Sequence, residues 1–261
     1  MSRHHFRGAP AAYTPGGQSQ SARDVGRRGT QARHRAEIRA LFEQPDKVAA
    51  AFPRITWEEA LTSAGENARL VKDPASVGAV TFRYAFPPRA WHQAALALYD
   101  MRAPALSVQA AVESAWMQNS TLLAALAGDE MFPILRYCQF RPPHGLPEVV
   151  PVWRGTRGVD IDTARAGLSW SLNPQVACAW AIMLGMRAAG PRVEGAPLVL
   201  RREIKREQIL FYTDEHGMEE VAFDQPPEGE IDGEFEEWMT VARSFAHGGA
   251  AREAIARVDG F

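Results

Sequence analysis

Cysteine is scarce in this 261-residue chain. There are two, Cys138 and Cys178, each among apolar neighbours. Thiols so few and so placed exclude a disulfide scaffold and a cysteine metal cluster. The seven histidines, at 4, 5, 34, 92, 144, 216 and 247, have no metal-ligand spacing, so no metal is expected. No apolar run approaches the roughly 18 residues that span a bilayer. The N-terminus is basic, but Gly, Pro, Gln and Ser follow where a signal peptide has its hydrophobic stretch. These absences predict a cytoplasmic protein with no membrane partner. Walker loops, GxGxxG fingerprints and GxSxG elbows are also missing. With a formal net charge of −2, the whole chain is no polyelectrolyte.

What is present is 46% hydrophobic content, enough for a buried core. Charge is unevenly spread. Residues 1–35 hold Arg3, Arg7, Arg23, Arg27, Arg28, Arg33 and Arg35 against one acid, Asp24. With Gly, Ser, Gln and Pro around them, residues 1–33 read as a disordered basic tail: a solvated terminus, or an arm for an acidic partner. Residues 228–237 hold Glu228, Glu230, Asp232, Glu234, Glu236 and Glu237 and no base. They read as a solvated approach to the last helix, whose N-terminal dipole they suit.

Residues 34–145 read as helices. His34–Glu43 carries Ile38, Leu41 and Phe42 on one side. Thr56 and Glu59 form a capping-box pattern ahead of Trp57, Ala60, Leu61, Ala64 and Ala68. Trp91, Ala94, Ala95 and Leu98 are in helical register, and Ser107 is placed to cap a helix with Val108, Ala111, Val112 and Ala115. Another helix is expected from Asn119 to Ala127, ended by Gly128. Residues 79–86, AVTFRYAF, read as a strand or extended connection.

The pattern changes at the Pro-rich joint RPPHGLPEVVP. Residues 146–261 read as a β-rich core, with strands at Val149–Arg154, Gly167–Ser171, Leu198–Ile204, Ile209–Tyr212 and Glu219–Phe223. One helix interrupts them from 174 to 186, capped by Asn173 and opened by Pro174, with Val176, Ala179, Trp180, Met183 and Leu184 on one face. A last helix, Phe235–His247, turns Phe235, Trp238, Met239, Ala242 and Phe245 inward before Gly248 and Gly249. The expected fold class is α+β, a helical region packed on a small, mostly antiparallel β core.

Three short stretches of the β half carry chemistry-bearing residues. VWRGT places Arg154 after a hydrophobic run. GLSWS places Ser169 and Ser171 on one strand face and Trp170 on the other, toward the core. EEVAF opens with Glu219 and Glu220 on opposite faces. Together with the alanine-rich NPQVACAWA helix, the ordered arginine, serine-X-serine and glutamate set resembles the mono-ADP-ribosyltransferases, in particular their phage and bacterial members. The resemblance covers roughly residues 149–223.

The resemblance implies an ADP-ribosyltransferase-type core, NAD as substrate, no metal, and Glu220, Ser169 and Arg154 as the catalytic set. Such enzymes break the bond between ribose and an already cationic nicotinamide, through an oxocarbenium-like transition state. The chemistry is akin to glycoside cleavage and needs little acid catalysis. It needs a carboxylate against the ribose, here Glu220, or Glu219 as the alternative. It needs a cation near the phosphates, Arg154. Gly155 would let the backbone approach the carboxamide, and Ser169 and Ser171 would bind ribose or orient Glu220. Phe211 or Tyr212 would stack on nicotinamide or pack in the core.

One position departs from the pattern. Two residues before the glutamate, relatives often carry Glu or Gln; here stands Met218, or Gly217 if Glu219 is used. This weakens the expectation of an arginine acceptor. Three functions remain open: transfer of ADP-ribose to a protein or nucleic acid, NAD hydrolysis by a toxin or defence effector, and a non-catalytic binding module. A toxin of this kind would have an antitoxin or assembly partner.

Overall fold

The computed structural model describes residues 50–183, 194–214, 218–224 and 228–247. The basic segment 1–33, the helix expected at His34–Glu43, and Leu184, His216, Gly217, Gly248 and Gly249 lie outside the described residues.

The N-terminal part is helical, as the apolar spacing predicts. Helix α1 (Trp57–Ala64) starts at a reciprocal capping box in which Thr56 and Glu59 bond each other's backbone N–H groups. It buries Trp57, Ala60 and Ala64. Residues Ala79–Ala85 form a helix, α2, where the sequence suggested a strand or extended segment. Their β-type side chains mislead, because the decisive spacing is that of Phe82, Ala85 and Phe86, three and four residues apart and all buried.

Helix α3 (Trp91–Asp100) buries His92 and every residue from Ala94 to Tyr99. Helix α4 (Ala105–Ala127) begins two residues before the expected cap, Ser107, whose hydroxyl instead donates to the Ala75 carbonyl at 3.1 Å. Asn119 is extended (φ −168°, ψ 92°) and breaks α4 in two. Its Oδ1 then accepts from Leu122 N at 3.0 Å and restarts the helix, which stops at Gly128 (φ 53°). Helix α5 (Met131–Cys138) closes this region.

The second part is a six-stranded antiparallel sheet: β1 (Val149–Arg157), β2 (Trp170–Ser171), β3 (Pro197–Lys205), β4 (Ile209–Thr213), β5 (Glu220–Phe223) and β6 (Glu230–Ile231), in the order β4-β5-β2-β1-β3-β6. Helix α6 (Ile161–Arg165) precedes β2, α7 (Pro174–Met183) follows it, and α8 (Phe235–His247) ends the described chain. The sequence reading missed α6 and β6, both too short to show a period. It placed the other strands within a few residues. The Asn173 side chain caps α7 as expected, accepting from Gln175 N at 2.9 Å. Phe235, expected to face inward on α8, is 46% exposed because it stands in the first turn, ahead of the buried Trp238 and Ala242.

Alternation along the strands gives the sheet two faces. On one, Val150, Val152, Trp170, Leu200, Ile204, Val221 and Phe223 form a core with Ala164 of α6. The other face is shared. Phe211 of β4 and Ala222 of β5 join the core of the N-terminal helices. Val199 of β3 packs with Ala177, Ala181 and Ile182 of α7 and with Trp238 and Ala242 of α8. Strand β2 lies between these two coverings. The fold is thus α+β, a helical region with an antiparallel sheet. Among the described residues, no helix is long and apolar enough to cross a membrane.

His92 is buried beside the break in α4, its Nε2 3.2 Å from the Asn119 carbonyl. Burial lowers its pKa to about 4, against the opposing pull of the Asn119 and Ala115 carbonyls. The unfolded chain, titrating near 6.5, binds a proton that the folded chain refuses. Stability from this site is therefore full above pH 6.5 and declines as pH falls toward 4. Urea midpoints should fall over that window, and His92→Gln should flatten the slope. Parallel slopes in the two proteins would refute the assignment.

A carboxylate site where the two coverings meet

Strand β2 has two residues but holds the site together. Ser171 is the cross-strand partner of Glu220 on one side and of Trp153 on the other. Thr213 of β4 faces Glu220 across the next ladder. Ser171, Glu220 and Thr213 therefore point to the shared face, in the region between the coverings, and Ser169 joins them through its bond to Glu220.

The two serine hydroxyls do different work. Ser169 donates to the Glu220 carboxylate Oε1. Ser171 donates to the Met218 carbonyl at 2.8 Å and accepts from Asn173 N at 3.0 Å. This local role ties the start of α7 to the segment before Glu220. Leu172 N adds a second tie, to the Glu219 carbonyl at 2.9 Å. Between the ties Glu219 adopts φ 45°, a left-handed conformation unusual for a side chain with a Cβ. Glu220, not Glu219, is the carboxylate that meets Ser169.

Arg154 stands on β1 where the ladder to β2 ends. The single β1–β2 pair is Trp153 with Ser171. Beyond it the Arg154 guanidinium donates to the Ser169 carbonyl, so a side chain continues the link that the backbone drops. Its Nε is buried without a partner. Burial lowers the Arg154 pKa to about 10, with Glu220 opposing. It stays protonated at neutral pH. The guanidinium occupies the place that a Cβ on Gly167 would fill. Gly167 was not singled out in the sequence, though it opens GLSW: glycine there leaves room for the arginine of VWRG.

Glu220 keeps partial solvent access while protein surrounds it densely. Desolvation raises its pKa, and the Ser169 hydroxyl, the Trp116 indole and the Arg154 charge pull it back. Trp116 comes from α4, in the other half of the chain. It stacks on Phe211 with ring centroids 4.2 Å apart and planes at 27°. Nothing in the sequence pointed to it, because its apolar spacing on α4 is that of ordinary core.

The expected roles of Tyr212 and Gly155 need correction. Tyr212 pairs with Val221, one residue out of phase with Glu220, and packs against the core of the opposite face, to which Trp170 and Val221 belong. Alternation thus turns it away from the carboxylate. Phe211 is on the carboxylate's face but fully buried under Trp116 and Phe140, so it packs in the core, the alternative that the sequence also offered. Gly155 was expected to open the backbone to a ligand. A Cβ there would overlap the Ala177 carbonyl, so its missing side chain makes room for α7.

The arrangement presents a partly solvated carboxylate, oriented by a hydroxyl and set near a fixed cation. Such a group can accept hydrogen bonds from a polyol and stabilise positive charge developing beside it.

The two glycines should respond differently. Gly155→Ala sets side chain against backbone and should cost about 3 kcal/mol or more in a denaturant melt. Gly167→Ala meets a side chain end, so it should fold but displace Arg154. Equal destabilisation of the two would contradict this geometry. Glu220 makes a pH prediction of opposite sign to that of His92. Its raised folded pKa means that ionisation costs stability, by an amount absent below pH 4.5 and growing as pH rises through the folded value. Glu220→Gln should therefore melt above the native chain at pH 7.5 and converge with it at pH 4.

The chain was compared with protein-family models, with curated proteins and with solved structures, and none matches.

Proposed function

We propose that the protein is an NAD-dependent mono-ADP-ribosyltransferase that uses Glu220 against the ribose and transfers ADP-ribose to a protein or nucleic-acid acceptor. The observation that carries this reading is the Ser169 hydroxyl bonded to the Glu220 carboxylate. It joins two motifs 51 residues apart, in the pairing that the arginine, serine and glutamate order implies. Arg154 beside them supports it, as a protonated group holding the Ser169 carbonyl with one buried donor left over.

The chain's own groups divide the work as follows. Glu220 accepts a hydrogen bond from a ribose hydroxyl and faces the positive charge that grows on the anomeric carbon. The bond from that carbon to the nicotinamide nitrogen breaks with its electron pair leaving on the ring. The acceptor bonds to the same carbon and gives its proton to solvent. Ser169 keeps Glu220 turned toward the ribose. Arg154 supplies positive potential for the diphosphate and fixes the serine segment. The partly desolvated surroundings strengthen each of these interactions. An ADP-ribosyltransferase-type core for this α+β fold is part of the same proposal.

Hydrolysis of NAD is the second reading, favoured by one observation. Met218, two residues before Glu220, offers the site neither acid nor base, and its carbonyl is taken by Ser171. Water would then be the nucleophile.

Purified protein incubated with adenylate-labelled NAD and a cell lysate should label a macromolecule. Protease or nuclease sensitivity would identify its class. Glu220→Gln should reduce labelling by about 100-fold or more. Rate against pH should fall on the acid side through a pKa above the ordinary 4.5 of glutamate. Nicotinamide release without macromolecular label would assign hydrolysis. No consumption of NAD, or full activity in Glu220→Gln, would refute the reading.

A further inference from the structure

Trp116 is placed as no ordinary core residue needs to be. It is 2% exposed, and its indole Nε1 is buried without a partner in full hydrogen-bond geometry. A buried N–H left unmade is costly, and a phenylalanine would stack on Phe211 equally well without that cost. The surroundings supply a reason for the nitrogen. Phe211, the ring under Trp116, stands on the sheet face of Thr213 and Ala222, and Glu220 shares that face. The stack therefore sets Trp116 over the sheet face from which the Glu220 carboxyl, bonded by Ser169, projects.

The break in α4 fits the same purpose. Three residues after Trp116, Asn119 leaves helical geometry, and the buried His92 takes its carbonyl at 3.2 Å. The turn that carries Trp116 is thus fixed at its end by α3 as well as by the sheet.

We propose that Trp116 is a positioning residue for Glu220, its indole N–H holding the carboxylate in the orientation that meets Ser169. The helical region is then a wall of the site, and the site is incomplete without it. The inference rests on Glu220 as the reacting carboxylate, but its central test needs no turnover. The indole N–H favours the ionised carboxylate, in concert with the Ser169 hydroxyl and the Arg154 charge and against desolvation. Arg154 of β1 is the charged group that acts on Glu220.

Trp116→Phe keeps the ring stack and removes the donor. Carbon-13 NMR of labelled glutamate, assigned by Glu220→Gln, should show Glu220 titrating at higher pH in Trp116→Phe than in the native chain. In the native chain the Trp116 indole proton should shift with the same pH dependence, and Glu220→Gln should abolish that shift. If NAD is turned over, kcat of Trp116→Phe should fall about tenfold with KM little changed, and its acid limb should move upward. An unchanged Glu220 titration in Trp116→Phe would overturn the proposal. Should that variant fail to fold, an indole proton indifferent to pH in the native chain would do the same. Both NMR results stand even if the chain proves inactive on NAD, which separates this inference from the functional reading.

Discussion

The hydrogen bond from Ser169 to Glu220 is the interaction that the rest of the site serves. Placing a carboxylate in dense protein surroundings is unfavourable, and burial pushes Glu220 toward its protonated form. Fixed donors and a nearby cation offset this. They come from different elements, Ser169 from the segment before β2 and Arg154 from β1, and on the proposal above Trp116 of α4 adds a third. The carboxylate itself is held in place from behind. Leu172 and Ser171 bond the carbonyls of Glu219 and Met218, which fixes the turn from which Glu220 emerges.

The architecture places this group where two coverings meet. A single face of the sheet carries the N-terminal helices over β4 and β5 and the pair α7–α8 over β1 and β3. Between them β2 is short, and β1 leaves it after one residue pair. Two glycines permit the geometry. Gly155 lets the α7 backbone settle on β1, and Gly167 lets the Arg154 guanidinium lie against the serine segment. Asp232, in the acidic stretch, reinforces the α7–α8 side by accepting from the Trp153 indole at 2.8 Å. That stretch is therefore partly structural and not only a solvated approach to α8.

Much of this was legible in the chain. Helical spacing in 57–127 and alternation in 149–223 are local patterns set by backbone period, and they located most elements. The Thr56–Glu59 and Asn173 caps were readable because a cap is a contact between residues two or three apart. Trp170 could be turned inward and Ser169 outward because side chains alternate on a strand. The grouping of Arg154, Ser169 and Glu220 came from motif order. Where propensity and packing disagree the sequence misled, as at 79–85, whose β-type residues fold as a helix because Phe82 and Ala85 find a core.

The sequence by itself determined the class of fold, the caps, and which short motifs bear charge and hydroxyls. Tertiary structure decided what each of those groups touches. The register of β4 against β5 turned Tyr212 away and left Glu220 beside Ser169, since a one-residue shift exchanges the faces of a strand. Close packing assigned the two glycines to α7 and to Arg154. The stack of Trp116, from a helix in the first half of the chain, on Phe211 of the sheet in the second is a long-range contact between residues of unremarkable local pattern. No period or spacing along the chain encodes it.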